Sequence, residues 1–178
     1  VNSGMSSSTA LLSAVFKAIS GFTGQKIPAE KYFDYLYPMQ VKVHGGRASG
    51  SEIISSALGG FNKVQKIEAG TKTELKFKHL GVHKYSIIVG NTKVSSPTPL
   101  TVGYHVPSLI ARNKARVFSV FDEIAAISEK AESILAKDDE SKLGKLMNKN
   151  QELLSSLGLS HPKLDDCIDE ARKAGAFG

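Results

Sequence analysis

Cysteine is scarce and tryptophan is absent, since the 178 residues contain one cysteine, Cys167, and no tryptophan. A single cysteine allows no disulfide within the chain, which is typical of a reducing compartment and favours a cytoplasmic location. Long apolar runs are also missing. The longest are a few residues, whereas a membrane-spanning helix needs about twenty. The sequence therefore predicts neither a disulfide-stapled domain nor a membrane partner.

Basic and aromatic residues are not concentrated in any one place. The chain has 23 Lys and Arg against 17 Asp and Glu, a net charge of +6 and a pI near 9.3, and aromatic residues make up 7%. A basic chain can bind nucleic acid, but a base-stacking platform needs clustered aromatic side chains. Diffuse basicity suits a small anionic ligand equally well, so nucleic acid is not the partner that we expect.

Helical periodicity dominates the first sixty residues. A helix is predicted over residues 9–22, and a second follows Pro28, where Pro38 is expected to kink or break it. Residues 53–58 are predicted to form a short helix or a turn. The first helix carries an apolar stripe that we expect to be buried: Leu11, Leu12, Val15, Phe16, Ile19 and Phe22.

The periodicity then changes to that of strands and returns to that of helices. Residues 61–68 and 73–80 alternate apolar with polar side chains and predict a β-hairpin, and 84–91 reads as a more buried strand. Ser160 is the expected N-cap of the last helix. From Leu100 onward four helices are predicted, over residues 102–113 with Pro107 as a local irregularity, 117–135, 143–157 and a last one ending near 173.

A loop rich in glycine and serine leads into the first predicted helix, with the sequence GMSSSTA at residues 4–10. Backbone N–H groups and the positive end of the dipole at a helix start bind anions, and the hydroxyls can reach a phosphate or Mg²⁺. The pattern is not a Walker A loop, because no Gly-Lys-Ser/Thr follows. A flexible loop that only caps the helix is the alternative.

A second glycine-rich loop, HGGRASGSE at residues 44–52, carries an acid at a helix start. Glu52 can accept a proton from a substrate hydroxyl, or it can simply favour the helix dipole. Arg47 can bind a carboxylate or a phosphate, or it can lie on the surface without a ligand. His44 has no second ligand at metal spacing, so no zinc site is predicted. The polar loop at residues 90–94 either contacts a ligand or forms a turn.

The order of these segments resembles the GHMP family of small-molecule kinases, in particular its mevalonate kinase branch of archaeal type. GMSSSTA is similar to the family's Gly-Leu-Gly-Ser-Ser-Ala-Ala phosphate loop, and HGGRASGSE to its His-Gly-x-Pro-Ser-Gly-x-Asp segment. NTKV is similar to an Asn-Thr-x-Val stretch. The run from MNKNQELL through SHPKLDD is similar to the family's helix pair. That run is the most specific, because it fixes many identities at once.

The resemblance implies an α+β fold in two parts. Residues 1–82 would form the N-terminal, ATP-binding part, which is ribosomal-S5-domain-2-like, and residues 83–178 a ferredoxin-like, helical C-terminal part. The fold is expected to be partial, because the family's N-terminal strands and its third, Gly-rich C-terminal motif are missing from these residues. We therefore expect a segment of a longer protein, with less than full activity by itself.

The resemblance also implies a reaction of the isoprenoid precursor pathway. ATP, with Mg²⁺, would phosphorylate the C5 hydroxyl of mevalonate, and a homodimer is compatible with the family. Glu52 stands where the family has its catalytic aspartate, and Ser8 is the expected Mg²⁺ ligand. The ATP phosphates are expected on Gly4, Met5, Ser6, Ser7, Ser8 and Thr9, and the substrate on His44, Arg47, Ser49 and Thr92.

Three positions depart from the family pattern. Glu52 replaces the aspartate, Ser6 replaces the glycine at the third position of the phosphate loop, and Gln40 is the nearest polar residue to the place of a Mg²⁺-binding glutamate. Misplacing a catalytic group by about an ångström can cost roughly a hundredfold in rate. One alternative is therefore a GHMP-like protein that binds ligand without catalysis. Another is a phosphomevalonate or homoserine kinase, which the NTKV and MNKNQELL stretches disfavour.

Overall fold

A computed structural model describes most of the chain: residues 4–46, 48–69, 72–95 and 100–178. The chain divides into two compact units. The first contains the residues up to Val82 and a short segment that ends at Gly103, and the second contains His83–Ser95 and Tyr104–Gly178. Helices and a small sheet together confirm the predicted α+β class, in a partial form.

Three helices and a hairpin build the first unit. Helix α1 precedes a 3₁₀ turn at Ala29–Lys31, and α2 follows that turn directly. The helices span Ser7–Phe22 (α1), Tyr32–Val43 (α2) and Ser51–Leu58 (α3), and the strands span Phe61–Ala69 (β1) and Lys72–Gly81 (β2). The two strands pair antiparallel, with Val64 opposite Phe77. The predicted hairpin is thereby confirmed.

The buried face of α1 differs from the predicted one. Leu12 and Phe16 pack against the core, but Leu11, Val15, Ile19 and Phe22 are exposed. The helix instead buries the hydroxyl residues Thr9, Ser13 and Ser20. Apolar periodicity identifies a face that favours burial, but a face is buried only where a partner covers it.

Helix α2 continues past Pro38, where the sequence predicted a kink or a break. Proline removes one backbone N–H, so the carbonyl four residues earlier, that of Asp34, loses its helical partner. Both residues lie on the exposed side of α2, where water can replace the missing bond. The helix therefore runs on to Val43 and places Gln40 near the loop that follows it.

The core of the first unit lies between α2, α3 and the hairpin. Leu36, Ile53 and Ile54 are fully buried, and Tyr32 and Phe33 complete the cluster. Burying side chains of this size contributes roughly 1.5–3 kcal/mol each. Because α3 is anchored by Ile53 and Ile54, the polar residue beside them, Glu52, is held on a fixed support.

Residues 84–91 do not form the predicted buried strand. The segment has no regular secondary structure, and Ile88 is 93% exposed. A strand is stable where a neighbour completes its hydrogen bonds. Among the described residues β1 and β2 pair only with each other, so this apolar run has no strand beside it.

Four helices build the second unit. Each begins or ends within a few residues of its predicted position, and Pro107 follows a π-helical turn at Thr101–His105, where an irregularity was predicted. They are Val106–Arg112 (α4), Lys114–Leu135 (α5), Glu140–Ser156 (α6) and Pro162–Lys173 (α7). None of the helices in the described part of the chain combines the length and the apolar character that a bilayer crossing requires.

Helices α5 and α6 share the core of the second unit. Val117 and Val120 on α5 pack with Leu153 and Leu157. The N-cap of α7 is His161, whose Nδ1 accepts the backbone N–H of Lys163, and not Ser160 as predicted. The Ser160 hydroxyl instead donates to Asp165 over 2.6 Å. This bond holds the residue before the N-cap against the first turn of α7.

Candidate functional site

The loop before α1 leaves its first helical turn open. Ser6 occupies the N-cap position in a left-handed conformation, with φ of 52°, and its side chain makes no capping hydrogen bond. Ser7 and Ser8 follow in the first turn and are exposed. Backbone N–H groups of a first turn need partners, and an anion is one that the helix dipole favours.

Glu52 lies in the first turn of α3, at the edge of the hydrophobic core. Gly50 is the N-cap with φ of 80°, a conformation that suits glycine. The Ser49 hydroxyl accepts the backbone N–H of Ser51 at 3.3 Å, which fixes the turn that leads into the helix. The Tyr37 hydroxyl donates to the Ala48 carbonyl over 3.2 Å and anchors the same loop.

The packing of the three helices brings three polar side chains close to Glu52. The Thr9 hydroxyl donates to Oε2 of Glu52 over 2.8 Å. Nε2 of Gln40 lies 3.0 Å from the same oxygen and 3.2 Å from Oγ1 of Thr9. His44 Nε2 is 3.9 Å from Oε2. Thr9 and Gln40 are each 2% exposed, whereas the side chain of Glu52 is 30% exposed, so the carboxylate is held from its buried side and still reaches solvent.

Two cavities of the first unit meet at Glu52. The smaller one, about 350 Å³, is bounded by the loop before α1 and by α3, with Met5, Ser6, Ser51, Glu52, Ser55 and Ser56 in its wall. The larger one, about 580 Å³, has the size of a small-molecule site. Its wall consists of His44, Gly46, Ala48, Ser49, Glu52, Lys66, Glu68 and Val102. Glu52 thus faces both the phosphate-loop side and the side of the second glycine-rich loop.

A lysine and a glutamate on β1 add an ion pair to the wall of the larger cavity. Lys66 Nζ lies 2.6 Å from Oε1 of Glu68. That ion pair raises the pKa of Lys66 and lowers the pKa of the Glu68 carboxyl. The ammonium also lies 6.0 Å from the ring centroid of Tyr37. Because the two opposite charges neutralise each other, the pair gives the cavity wall polar groups but no net charge.

Comparison with known proteins shows which family this chain is similar to. The family described as "GHMP kinases C terminal" matches residues 131–178. The mevalonate kinase of Thermococcus gammatolerans is 32% identical over all of this chain and 52% of its own length. That of Pyrococcus furiosus is also 32% identical over the same shares, and that of Saccharolobus solfataricus is 26% identical over 98% and 53%.

The chain is similar to GHMP kinases. The resemblance to that family predicted from the sequence is thereby confirmed. The chain spans about half the length of the curated GHMP relatives that it matches. No solved structure matches it significantly.

The structure brings together only part of the predicted GHMP site. Met5 and Ser6 share one cavity wall with Glu52, and His44 and Ser49 share the other. Arg47 lies outside the described residues. Thr92 belongs to the second unit, where its hydroxyl accepts the backbone N–H of Val94 at 3.2 Å in a local turn. The roles predicted for these residues stay predictions.

Three contributions to the site were not predicted from the sequence. The contact between Thr9 and Glu52 joins residues 43 positions apart, and no local pattern signals it. Gln40 was noted only for its position in the chain. Lys66 and Glu68 could have been found, because alternation places them on the same face of β1 as Val64, which packs against the core.

The donor set suits a cation that arrives with a nucleotide. Among the described residues no group of three or more His, Cys, Asp and Glu could hold a metal ion alone. Magnesium usually binds through one or two carboxylates and the phosphates of the substrate. Ser8 supplies a hydroxyl in the exposed first turn of α1, beside backbone N–H groups that can hold phosphate, whereas Gln40 turns its amide nitrogen and not its oxygen toward Glu52. A hydroxyl oxygen together with phosphate oxygens fits Mg²⁺.

Proposed function

We propose that the protein transfers the γ-phosphoryl group of ATP to the C5 hydroxyl of mevalonate. The observation that carries the proposal is the position of Glu52 in the walls of both cavities, one beside the Gly/Ser loop and one beside the His44 loop. A phosphoryl donor and an alcohol acceptor must meet at such a point. The relatives named mevalonate kinase support the same choice of reaction and acceptor.

The loop before α1 would hold the phosphates. The backbone N–H groups from Gly4 to Thr9 and the N-terminus of α1 offer donors and positive potential to the β- and γ-phosphates. The lack of a side-chain cap on this turn supports the role, because those donors are open to a ligand. Ser8 and the phosphates themselves would hold Mg²⁺, and the ion would neutralise phosphate charge when it is bound.

Glu52 would orient the acceptor hydroxyl and take up its proton. A new bond forms between the hydroxyl oxygen and the γ-phosphorus, the bond from that phosphorus to the bridging oxygen breaks, and ADP leaves. Little covalent chemistry is asked of the protein, so positioning and charge neutralisation supply most of the rate. Glu52 suits this task because Thr9 and Gln40 hold its carboxylate in place.

The larger cavity would hold the acceptor. His44 and Ser49 line it beside Glu52, and the ion pair of Lys66 and Glu68 lies in the same wall. Arg47 and Thr92 complete the proposed set of substrate-binding residues, which is carried over from the family pattern alone. In this proposal residues 1–82 form the ATP-binding part and residues 83–178 the C-terminal part.

The proposal extends to location and assembly. ATP as the phosphoryl donor favours the cytoplasm, and so does Cys167, which is a free and exposed cysteine. A homodimer stays a prediction from the family.

A second candidate is a GHMP-family protein that binds ligand without turnover. The amide of Gln40 favours it, because an amide leaves the site with one fewer negative charge than a second carboxylate would supply. Weaker Mg²⁺ handling would follow from that loss.

An ADP-release assay with Glu52→Gln separates the two candidates. Mevalonate, phosphomevalonate and homoserine are offered with Mg-ATP, and ATP binding is measured on the same samples. We expect turnover with mevalonate and a loss of about 100-fold or more in Glu52→Gln, with ATP affinity within about threefold, because a general base typically contributes 10²–10⁴-fold. Exposed Glu123→Gln is the matched control. Equal losses of turnover and ATP affinity would reject the role of Glu52.

A further inference from the structure

Gln40 is a buried amide whose nitrogen faces the carboxylate of Glu52. The residue is 2% exposed. Its Nε2 lies 3.0 Å from Oε2 of Glu52 and 3.2 Å from Oγ1 of Thr9, while the Thr9 hydroxyl donates to the same Oε2 over 2.8 Å. The three atoms are therefore joined pairwise by hydrogen bonds, and Oε2 accepts two of them.

The charge of Glu52 determines how the amide is turned. The opposite orientation would place the amide oxygen against a carboxylate oxygen, two acceptors with no proton between them. With the nitrogen toward Glu52, the amide oxygen Oε1 is left buried without a hydrogen-bond partner in the described residues. An unpaired buried oxygen costs free energy. The contact with Glu52 and Thr9 is what offsets that cost.

The contact with Gln40 matters more for a glutamate at position 52 than it would for an aspartate. Compared with aspartate it has one more rotatable bond, so more conformational freedom is lost when its carboxylate is held in one place. Two donors on a single oxygen remove that freedom. A carboxylate at position 40 would instead set a second negative charge at hydrogen-bond distance, whereas an amide of the same size supplies a donor without charge.

We propose that Gln40 is a positioning residue, which with Thr9 fixes Oε2 of Glu52 and leaves the other carboxylate oxygen, Oε1, to meet the hydroxyl of the acceptor. This inference rests on the phosphoryl transfer proposed above. Gln40 acts through Glu52 and does not touch the acceptor. Its loss should therefore lower turnover and leave the binding of ATP at the loop before α1 unchanged.

Gln40→Met tests the proposal, because methionine keeps the size of the side chain and removes both hydrogen-bonding groups. The purified protein is assayed for ADP release with Mg-ATP and mevalonate, and kcat and both KM values are measured. We expect kcat to fall about 10- to 100-fold, as misplacement of a reacting group does, with KM for ATP within about twofold. Gln25→Met, at an exposed position far from Glu52 in the sequence, should match the unchanged protein.

Gln40→Glu adds a readout that a purely structural role would not give. The introduced carboxyl group repels Glu52 when it is ionised, but when it is protonated it can donate to Oε2 as the amide does. The deficit in kcat should therefore shrink as the pH is lowered from about 8 to 6. Gln25→Glu, which adds the same charge elsewhere, should show the pH profile of the unchanged protein.

The outcomes separate this inference from the function on which it rests. No turnover by the unchanged protein would reject the proposed function, and the positioning role with it. Turnover that is equal in the unchanged protein and in Gln40→Met would reject only the positioning role. A deficit of Gln40→Glu that is the same at every pH would also overturn it, since packing damage does not titrate.

Discussion

Thr9 donates its hydroxyl proton to Oε2 of Glu52 over 2.8 Å, although 43 residues separate the two in the sequence. The bond joins the first turn of α1, directly after the Gly/Ser loop, to the first turn of α3. In the proposed function one of these turns holds phosphate and the other carries the base. In the proposed function the position of Glu52, the base, thus depends on α1, the helix whose first turn binds the phosphates of ATP.

Thr9→Val should lower turnover by about tenfold and affect ATP affinity little. Valine fills the same space, but Glu52 loses a hydrogen bond to a charged group, and such bonds contribute about 1.5–3 kcal/mol. Steady-state kinetics of ADP release measure the effect. Thr23→Val removes a hydroxyl that bonds only to carbonyls of its own helix and is the control. Equal turnover in the two variants would show that the Thr9 contact does not matter for catalysis.

Gly50→Ala should disturb the start of α3 and with it Glu52. The residue has φ of 80°, and an added Cβ would collide with the ring of Phe33. We expect a loss of about 1–3 kcal/mol in stability from the strained backbone alone, measured by urea unfolding. Gly21→Ala lies inside α1 with nothing within 4 Å of the added Cβ, and it should be neutral or stabilising. Similar behaviour of both variants would contradict the described loop conformation.

Ile53→Ala should destabilise the first unit by about 2–5 kcal/mol, the usual range for an aliphatic core residue cut back to alanine. Ile53 is 0% exposed, so the cavity left behind is closed to water. Ile88→Ala is the matched control, because Ile88 is 93% exposed and surface changes are usually within about 0.5 kcal/mol. Urea unfolding of both variants decides, and a small effect at Ile53 would mean that α3 is not anchored as described.

Asp139→Asn should weaken helix α6 above about pH 4 and matter little in stronger acid. Asp139 caps that helix, and its hydrogen bonds with the side chain and then the backbone of Lys142 lower its pKa below the ordinary value of 3.8. A lowered pKa in the folded state adds stability that is complete above the unfolded pKa and is lost as the pH falls through the folded pKa.

Hydrogen exchange of the α6 amides at pH 6 and pH 3 measures the effect of Asp139. The difference between variant and unchanged protein should be large at the first pH and shrink at the second, where Asp139 is becoming protonated while the asparagine of the variant is neutral throughout. Asp122→Asn, at an exposed position in the middle of α5, controls for the loss of one charge. A difference that does not depend on pH would reject this account of the cap.

Sequence patterns predicted well those helices and strands whose apolar residues recur with a clear helical or alternating spacing. The helices around Val117 and Leu153 and the hairpin that pairs Val64 with Phe77 lie where alternation or helical spacing placed them. The predictions that failed concern residues whose burial or hydrogen bonding depends on a neighbouring element or on water. Periodicity cannot show what covers Leu11 or Ile88, and it cannot show that water can solvate the carbonyl that Pro38 leaves unbonded.

The site was predictable in its parts but not in its contacts. The Gly/Ser loop and Glu52 stand out because glycines beside hydroxyls and an acid at a helix start are local signals. Gln40 lies 12 residues from Glu52 and 31 from Thr9, so only the packing of α1, α2 and α3 brings the amide to the carboxylate. Residue types name the candidates, whereas tertiary packing determines which of them meet.

The exposed run of Ile87, Ile88 and Val89 affects the solubility of the protein. Adjacent β-branched side chains on a segment outside any sheet favour strand-to-strand addition between molecules. Lys84 and Lys93 flank the run, and their repulsion keeps two copies apart at low ionic strength. Because salt screens that repulsion within about 10 Å at 0.1 M, concentrated solutions should turn cloudy as salt is added.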